Sequence, residues 1–300
     1  MSILETARDT PRAVAIAARP KRAARPRRRH LLPGFGLTFG ITTLYLVLIV
    51  ALPLAAMLLK TFSLGWPEFW RIVSSPRAVS AYWITFSSAA AAAVFNGFFG
   101  LLLAWVLVRY EFPGKRIIDG LVDLPFALPT AVAGLALVTL FGPAGWYGQI
   151  LVPLGITVTH AQLGIIVAMA FTSLPFVVRT VQPVLEDIPE DVQEAARLLG
   201  AKPLQVFSRV ILPLILPAFT TGVVLCFARA IGEFGAVVFI AGNLPGMTEI
   251  VSLLIFIRLD EHNYPAAAAL ATVLLVTAFV TLFLTNLLQA WQLRYADKSR

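Results

Sequence analysis

Long apolar runs separated by short polar segments set the pattern of this chain. The first extends from about Phe35 to Leu59, enough to span a bilayer, because ~20 helical residues cross the hydrocarbon core. Lys60 to Tyr82 is polar and aromatic, and its Trp66, Trp70 and Tyr82, with the adjacent Trp83, suit an interfacial belt. A second run continues to about Val108 and is closed by RYEFPGKR, Arg109 to Arg116. The third run contains Pro125 and Pro129 in LPFALPTAVAG and ends near Phe141. The fourth lies between about Leu163 and Val178, the fifth between about Pro213 and Ile240, and the sixth, after a long connection to Tyr264, between about Pro265 and Trp291. Open strand edges cannot face lipid, so all six are expected as helices.

The two prolines of the third run free backbone carbonyls that neighbouring helices or water must satisfy. Two readings are open for Pro125 and Pro129: a wall of a pathway, or a packing kink.

One segment breaks the apolar pattern. Between the fourth and fifth runs, over about 184–212, the chain turns amphipathic. Pro189 suits an early helical position, and Glu190 and Asp191 complement the positive end of the helix dipole. Val192, Ala195, Ala196 and Leu199 then fall at helical spacing on one face, opposite Glu190, Glu194 and Arg197. Gly200 supplies a left-handed stop. Pro203 starts a second short helix in which Leu204, Phe207 and Ile211 share a face. Such a stripe either packs on the protein's own body or docks a partner.

Composition agrees with the spans. Of 300 residues, 58% are hydrophobic and 13% charged, a balance far from that of a soluble domain. The net charge of +8 is concentrated: Arg19, Lys21, Arg22, Arg25, Arg27, Arg28 and Arg29 precede the first run, as at a cytoplasmic anchor. No folded nucleic-acid module follows them, and no cleavable signal peptide is expected. With the amino terminus inside, inner segments carry nineteen basic residues against four outside (Lys60, Arg71, Arg77 and Arg258). Both termini and the amphipathic loop are therefore expected in the cytoplasm. The expected layout is a basic, disordered tail over 1–34, a membrane domain over 35–291 and a cytoplasmic tail over 292–300.

Chemistry is sparse. No lysine stands in a phosphate-binding loop, since Lys115 follows a glycine but precedes Arg116. His30, His160 and His262 lack metal-ligand spacing, and Cys226 lies in an apolar run as a small packing residue. Arg229 and Glu233, in ARAIGEFG, are four residues apart and can pair on one helical face. An arginine near mid-membrane costs ~2.5 to 3.5 kcal/mol on insertion scales. It either lines a pathway and attracts an oxyanion, or holds two helices together as an ion pair.

The pattern Glu194, Ala195, Ala196, three residues, Gly200, then Val210, Leu212 and Pro213 resembles the signature of permease subunits of prokaryotic ATP-binding cassette importers. Val210 departs from the commoner isoleucine. The wider chain, in SLGWPEFW, AWVLVRYEFPGKR, DLPFALPTAVAG, LPFVVRTVQPVLEDIPEDVQEAARLLGA and ARAIGEFGAVVFIAGN, resembles the sulfate/thiosulfate permeases, T-type subunit, with molybdate permeases as close relatives. The resemblance implies the type I importer fold, with a coupling helix between the fourth and fifth spans and docking to an ATPase through Glu194, Ala195, Ala196, Leu199, Gly200, Leu204 and Phe207. It also implies a paralogous permease, two ATP-binding subunits that hold ATP and magnesium, a periplasmic sulfate-binding protein and a bacterial inner membrane. A molybdate or tungstate importer, a stand-alone channel or carrier, and a membrane scaffold are the alternatives.

Overall fold

A computed structural model describes residues 35–298, with side chains described as far as Leu287. The tail expected over 1–34 lies outside them. The chain divides into two compact units, residues 1–51 and 52–300. In the first, α1 (Phe35–Leu46) runs into a π turn at Val47–Ala51, and none of its described residues is buried.

Among the described residues, the regular elements of the second unit are all helices. In chain order it contains α2 (Leu52–Phe62), α3 (Trp66–Val73), α4 (Pro76–Arg109), α5 (Lys115–Val122), α6 (Leu124–Ala127), α7 (Thr130–Phe141), α8 (Gly148–Leu151) and α9 (Gln162–Glu186). It continues with α10 (Glu190–Leu198), α11 (Pro203–Val206), α12 (Leu212–Ile231), α13 (Gly235–Ile240), α14 (Val251–Asp260) and α15 (Tyr264–Lys298).

Among the described residues, five helices are long and apolar enough to cross a membrane: Phe35–Phe62, Pro76–Arg109, Gln162–Glu186, Pro203–Ile231 and Tyr264–Leu287. The third expected span is not one continuous helix. Pro129 pushes the preceding Leu128 out of the helical region, to φ −84 and ψ 135, so α6 stops and α7 restarts with Pro129 as its N-cap. The 12 residues of α7 extend only about 18 Å.

The fifth expected span also divides. It ends at Ile231 with Gly232 as its C-cap, and α13 begins only at Gly235, because glycines disfavour helix interiors. Three segments expected as connections contain helices, α3, α8 and α14, and α14 buries Val251, Leu253 and Leu254. The second span starts earlier than hydropathy suggests, where Ser75 caps α4 by accepting from the Ala78 amide at 3.3 Å and Pro76 opens the first turn.

The core is formed where α4, α9 and α12 pack together. Small residues make this possible: Ala89, Ala92, Ala93 and Ala104 of α4 are buried, and a Cβ on Gly100 or on Gly222 would each stand 3.0 Å from an atom of Val177. In a membrane, helices associate through such close packing and through hydrogen bonds rather than by escaping water. The bonds lie where two apolar clusters meet. The buried Asn96 amide donates to the Ala170 carbonyl at 2.8 Å and to the Ser173 hydroxyl at 3.1 Å, and the Cys226 thiol donates to Ser173 at 3.2 Å. Cys226 is thus a joint between three helices as well as a packing residue.

Candidate functional site

The amphipathic loop forms a compact corner. Pro189 is the N-cap of α10, one residue earlier than expected, since Glu190 is the first helical residue. The corner ends as a Schellman turn: Gly200 sits at φ 84, its amide donates to the Arg197 carbonyl at 2.9 Å, and the Ala201 amide donates to the Ala196 carbonyl at 3.1 Å. The next helix is capped when Gln205 accepts from the Lys202 amide at 2.8 Å.

The faces fall differently from the expected stripe. Gln193 is buried and Ala196 half-buried against the bundle, whereas Val192, Ala195 and Glu194 are exposed. Leu199, the C-cap of α10, is 89% exposed, Leu198 is 88% exposed, and Leu204, past the turn, is 76% exposed. Leu204 and Ile211 do not share a face. Ile211 is buried, and Phe207 stacks edge-on against Trp105 with ring centroids 5.5 Å apart, because a π turn over Phe207–Ile211 changes the helical spacing. Behind α10, a cleft of about 310 Å³ is bordered by Trp105, Arg109, Gln193 and Glu194.

The corner is anchored from below. Arg109, at the end of α4, lies over Trp105 and donates to the Leu185 carbonyl at 3.1 Å. It thereby satisfies one of the free carbonyls at the end of α9.

The second region is the break between α12 and α13. Arg229 belongs to the last turn of α12 and Glu233 lies beyond it, so the two do not share one helical face. They pair nonetheless, with Arg229 Nη1 2.8 Å from Glu233 Oε2. Glu233 Oε1 accepts from the Ala236 amide at 3.0 Å and so caps α13, while its Oε2 has its counter-charge but no aligned hydrogen bond. The Ser252 hydroxyl donates to the Glu233 carbonyl at 2.8 Å. The side chain of Glu233 is 1% exposed and that of Arg229 is 33% exposed.

Across from this break stands the other one. Helix α13 packs on α7, and a Cβ on Gly134 would stand 2.8 Å from the Ala236 Cα. Pro125 is buried and Pro129 exposed. The helices that follow the two breaks, α7 and α13, thus pack together, the first with Pro129 as its N-cap and the second capped by Glu233. Non-helical backbone at membrane depth is tolerated only where it is buried in protein or lines a cavity.

Two further ion-paired arginines were not singled out by the sequence. Arg77 donates through Nε and Nη2 to the buried Glu249, at 2.8 and 2.6 Å. Arg179 of α9 contacts Asp119 and Asp123 at 2.6 and 2.7 Å. The available signal was the spacing of Asp119 and Asp123, four apart and hence on one face of a short helix.

Residues 96–294 match the family described as binding-protein-dependent transport system inner membrane component. The chain is 53% identical over 262 residues to the sulfate transport system permease protein CysT of Salmonella typhimurium, covering 87% of this chain and 95% of that one. It is 51% identical to the protein of the same name from a Synechocystis species, over 86% of this chain and 90% of that one. Among solved structures, a bacterial alginate ABC transporter in complex with an alginate-bound periplasmic protein aligns with a TM-score of 0.70 at 18% identity, covering 84% of this chain and 92% of that one. An inward-facing MetNI methionine ABC transporter aligns at 0.57 and 19% identity, over 76% and 99%. At such identities the structural likeness is one of fold.

Proposed function

The chain belongs to the family of binding-protein-dependent transport system inner membrane components, and from that premise we propose that it is the permease subunit of an ATP-driven sulfate importer. Its cargo follows from the CysT permeases to which it is about half identical over most of its length. In this reading α6 and α7 together make the sixth crossing, beside the five long helices. The termini and α10 face the cytoplasm, a second, paralogous permease completes the pathway, and a periplasmic binding protein delivers the anion. ATP and magnesium are held by two partner ATPase subunits.

The observation that carries the coupling role is the exposure of Leu198, Leu199 and Leu204 around the turn at Gly200, where α10 ends and the next helix begins. Three large apolar side chains grouped on a polar surface suit a partner's groove, in the manner of a short helix laid into it. Gly200 fixes the turn, Ala196 and Phe207 hold the corner on the bundle, Ala195 lies on the docking side, and Glu194 borders the cleft behind α10. Closure of the ATPases on ATP would move this corner and open the pathway outward, and hydrolysis would reverse it.

An energy source is required by the cargo. Moving a dianion inward against an inside-negative potential costs ~4.6 kcal/mol per 100 mV, twice the value for one charge. Arg229, partly accessible beside the two broken helices, supplies positive charge where the anion passes, and the sealed Glu233 holds it in place.

The test is reconstitution of both permeases, the ATPase and the sulfate-binding protein in liposomes. Sulfate-loaded binding protein is expected to stimulate ATP hydrolysis and uptake of labelled sulfate, with a tenfold excess of molybdate removing less than half of the uptake. Stimulation by molybdate alone would assign the chain to a different importer.

A further inference from the structure

Arg179 has the most fully committed guanidinium in the described ion pairs. Its Nε donates to Asp123 Oδ1 at 2.8 Å, and Nη2 donates to Asp123 Oδ2 at 2.7 Å and to the Asp119 carbonyl at 2.8 Å. Nη1 donates to Asp119 Oδ1 at 2.6 Å and to Gln182 Oε1 at 2.7 Å. A guanidinium has five N–H donors in a fixed fork, and each has an acceptor here. Four of the five acceptors lie in the segment 119–123.

Exposed ion pairs generally contribute little, because solvent screens them and both side chains lose freedom. This one differs in geometry. Asp123 is gripped bidentately, which fixes orientation as well as distance. The Asp119 carbonyl at the end of α5 is capped by the same group, and the side chain of Arg179 is only 30% exposed. Lysine, a point charge with three donors, could not reproduce the arrangement.

The position of the clasp gives it a role. Arg179 lies two turns before the end of α9, and only residues 187–189 separate α9 from α10, the corner with the exposed leucines. On the other side, Asp123 is at once the C-cap of α5 and the N-cap of α6. Five residues later the chain breaks at Leu128, and α7 then packs against α13, just beyond the Arg229–Glu233 pair.

We propose that Arg179 is a positioning residue that joins the docking corner to the broken crossing, so that displacement of α10 and α9 moves α6 and α7 with them. This rests on the reading of the chain as an ATP-driven permease. Without the clasp the ATPase would still dock, and the pathway would no longer follow it. The signature is therefore a loss of the ratio between cargo-stimulated and basal ATP hydrolysis, which a merely destabilised protein would not show.

The experiment uses the complete reconstituted transporter with sulfate-loaded binding protein. Unchanged chain must first show stimulated hydrolysis; if it does not, the importer reading fails, whatever the clasp does. Given that stimulation, Arg179→Gln is expected to keep basal hydrolysis within twofold and to lower the stimulated component and sulfate uptake at least tenfold. Asp123→Asn, which leaves the Asp119 contacts in place and serves if the first variant does not assemble, is expected to lower the stimulated component at least threefold. Combining Asp123→Asn with Arg179→Gln should add no further loss, since both remove one interaction. Stimulated and basal hydrolysis falling in proportion, or neither falling, in Asp123→Asn would overturn the proposal.

Discussion

Arg229 and Glu233 divide their exposure unequally, and that division determines how they must be tested. Glu233 is sealed, with one oxygen capping α13 and the other against the guanidinium. Arg229→Ala alone would leave a buried carboxylate without its counter-charge, a loss of ~3 to 5 kcal/mol for a buried pair and less here because Arg229 is one-third open. Glu233→Gln keeps an acceptor for the Ala236 amide and removes the charge, so the double variant Arg229→Ala/Glu233→Gln isolates the arginine. Assembled transporter carrying it is expected to take up sulfate at least tenfold more slowly, whereas Glu233→Gln alone should retain a measurable rate. Equal uptake by the double variant and the unchanged chain removes Arg229 from the pathway. The pair was legible in the sequence from spacing alone, but for a different reason: a turn past the end of α12 brings the residues together, not a shared helical face.

The α10 corner shows what periodicity can and cannot give at the scale of an element. Its glycine stop and its apolar positions were readable, since a left-handed residue and an i, i+3, i+7 series have few alternatives. Which side faces the bundle was not, because that depends on α4 and α9. The half-buried Ala196 and the buried Gln193 occupy the bundle side, leaving Val192, Ala195 and Leu199 outward. Gly200 has φ 84 and no atom within 4 Å of where a Cβ would lie, so the constraint there is backbone conformation and not space. Asparagine and aspartate tolerate the left-handed region better than most residues, and they differ by a charge. Gly200→Asn is expected to keep at least half of the sulfate-stimulated ATP hydrolysis. Gly200→Asp, which places a carboxylate among Leu198, Leu199 and Leu204, is expected to lose at least tenfold. Identical behaviour of the two would rule out apolar docking at this turn.

For the whole molecule, hydropathy located the five long apolar helices of the described residues, but it did not show which apolar runs are interrupted. The long helices follow from run length. The breaks at Leu128 and at Gly232–Phe234 depend on single prolines, glycines and a capping glutamate inside otherwise apolar runs, where a hydropathy average cannot register them. The spacing of Asp119 and Asp123 was readable, but their pairing with Arg179 was not, since it lies 56 and 60 residues away in sequence. One more local feature bears on the entire bundle. The π turn at Phe207–Ile211 amounts to one residue accommodated within an α-helix. The gene should therefore tolerate a shortening there that it tolerates nowhere nearby. Deleting Ser208 would relax the turn to α-helical bonding and leave the rest of α12 facing as before. Deleting Leu214, in regular helix, would swing everything beyond it by about 100° relative to the α10 corner and turn Arg229 away from its partners. Membrane assembly and sulfate uptake of the two single-codon deletions should accordingly differ, with only the first supporting transport.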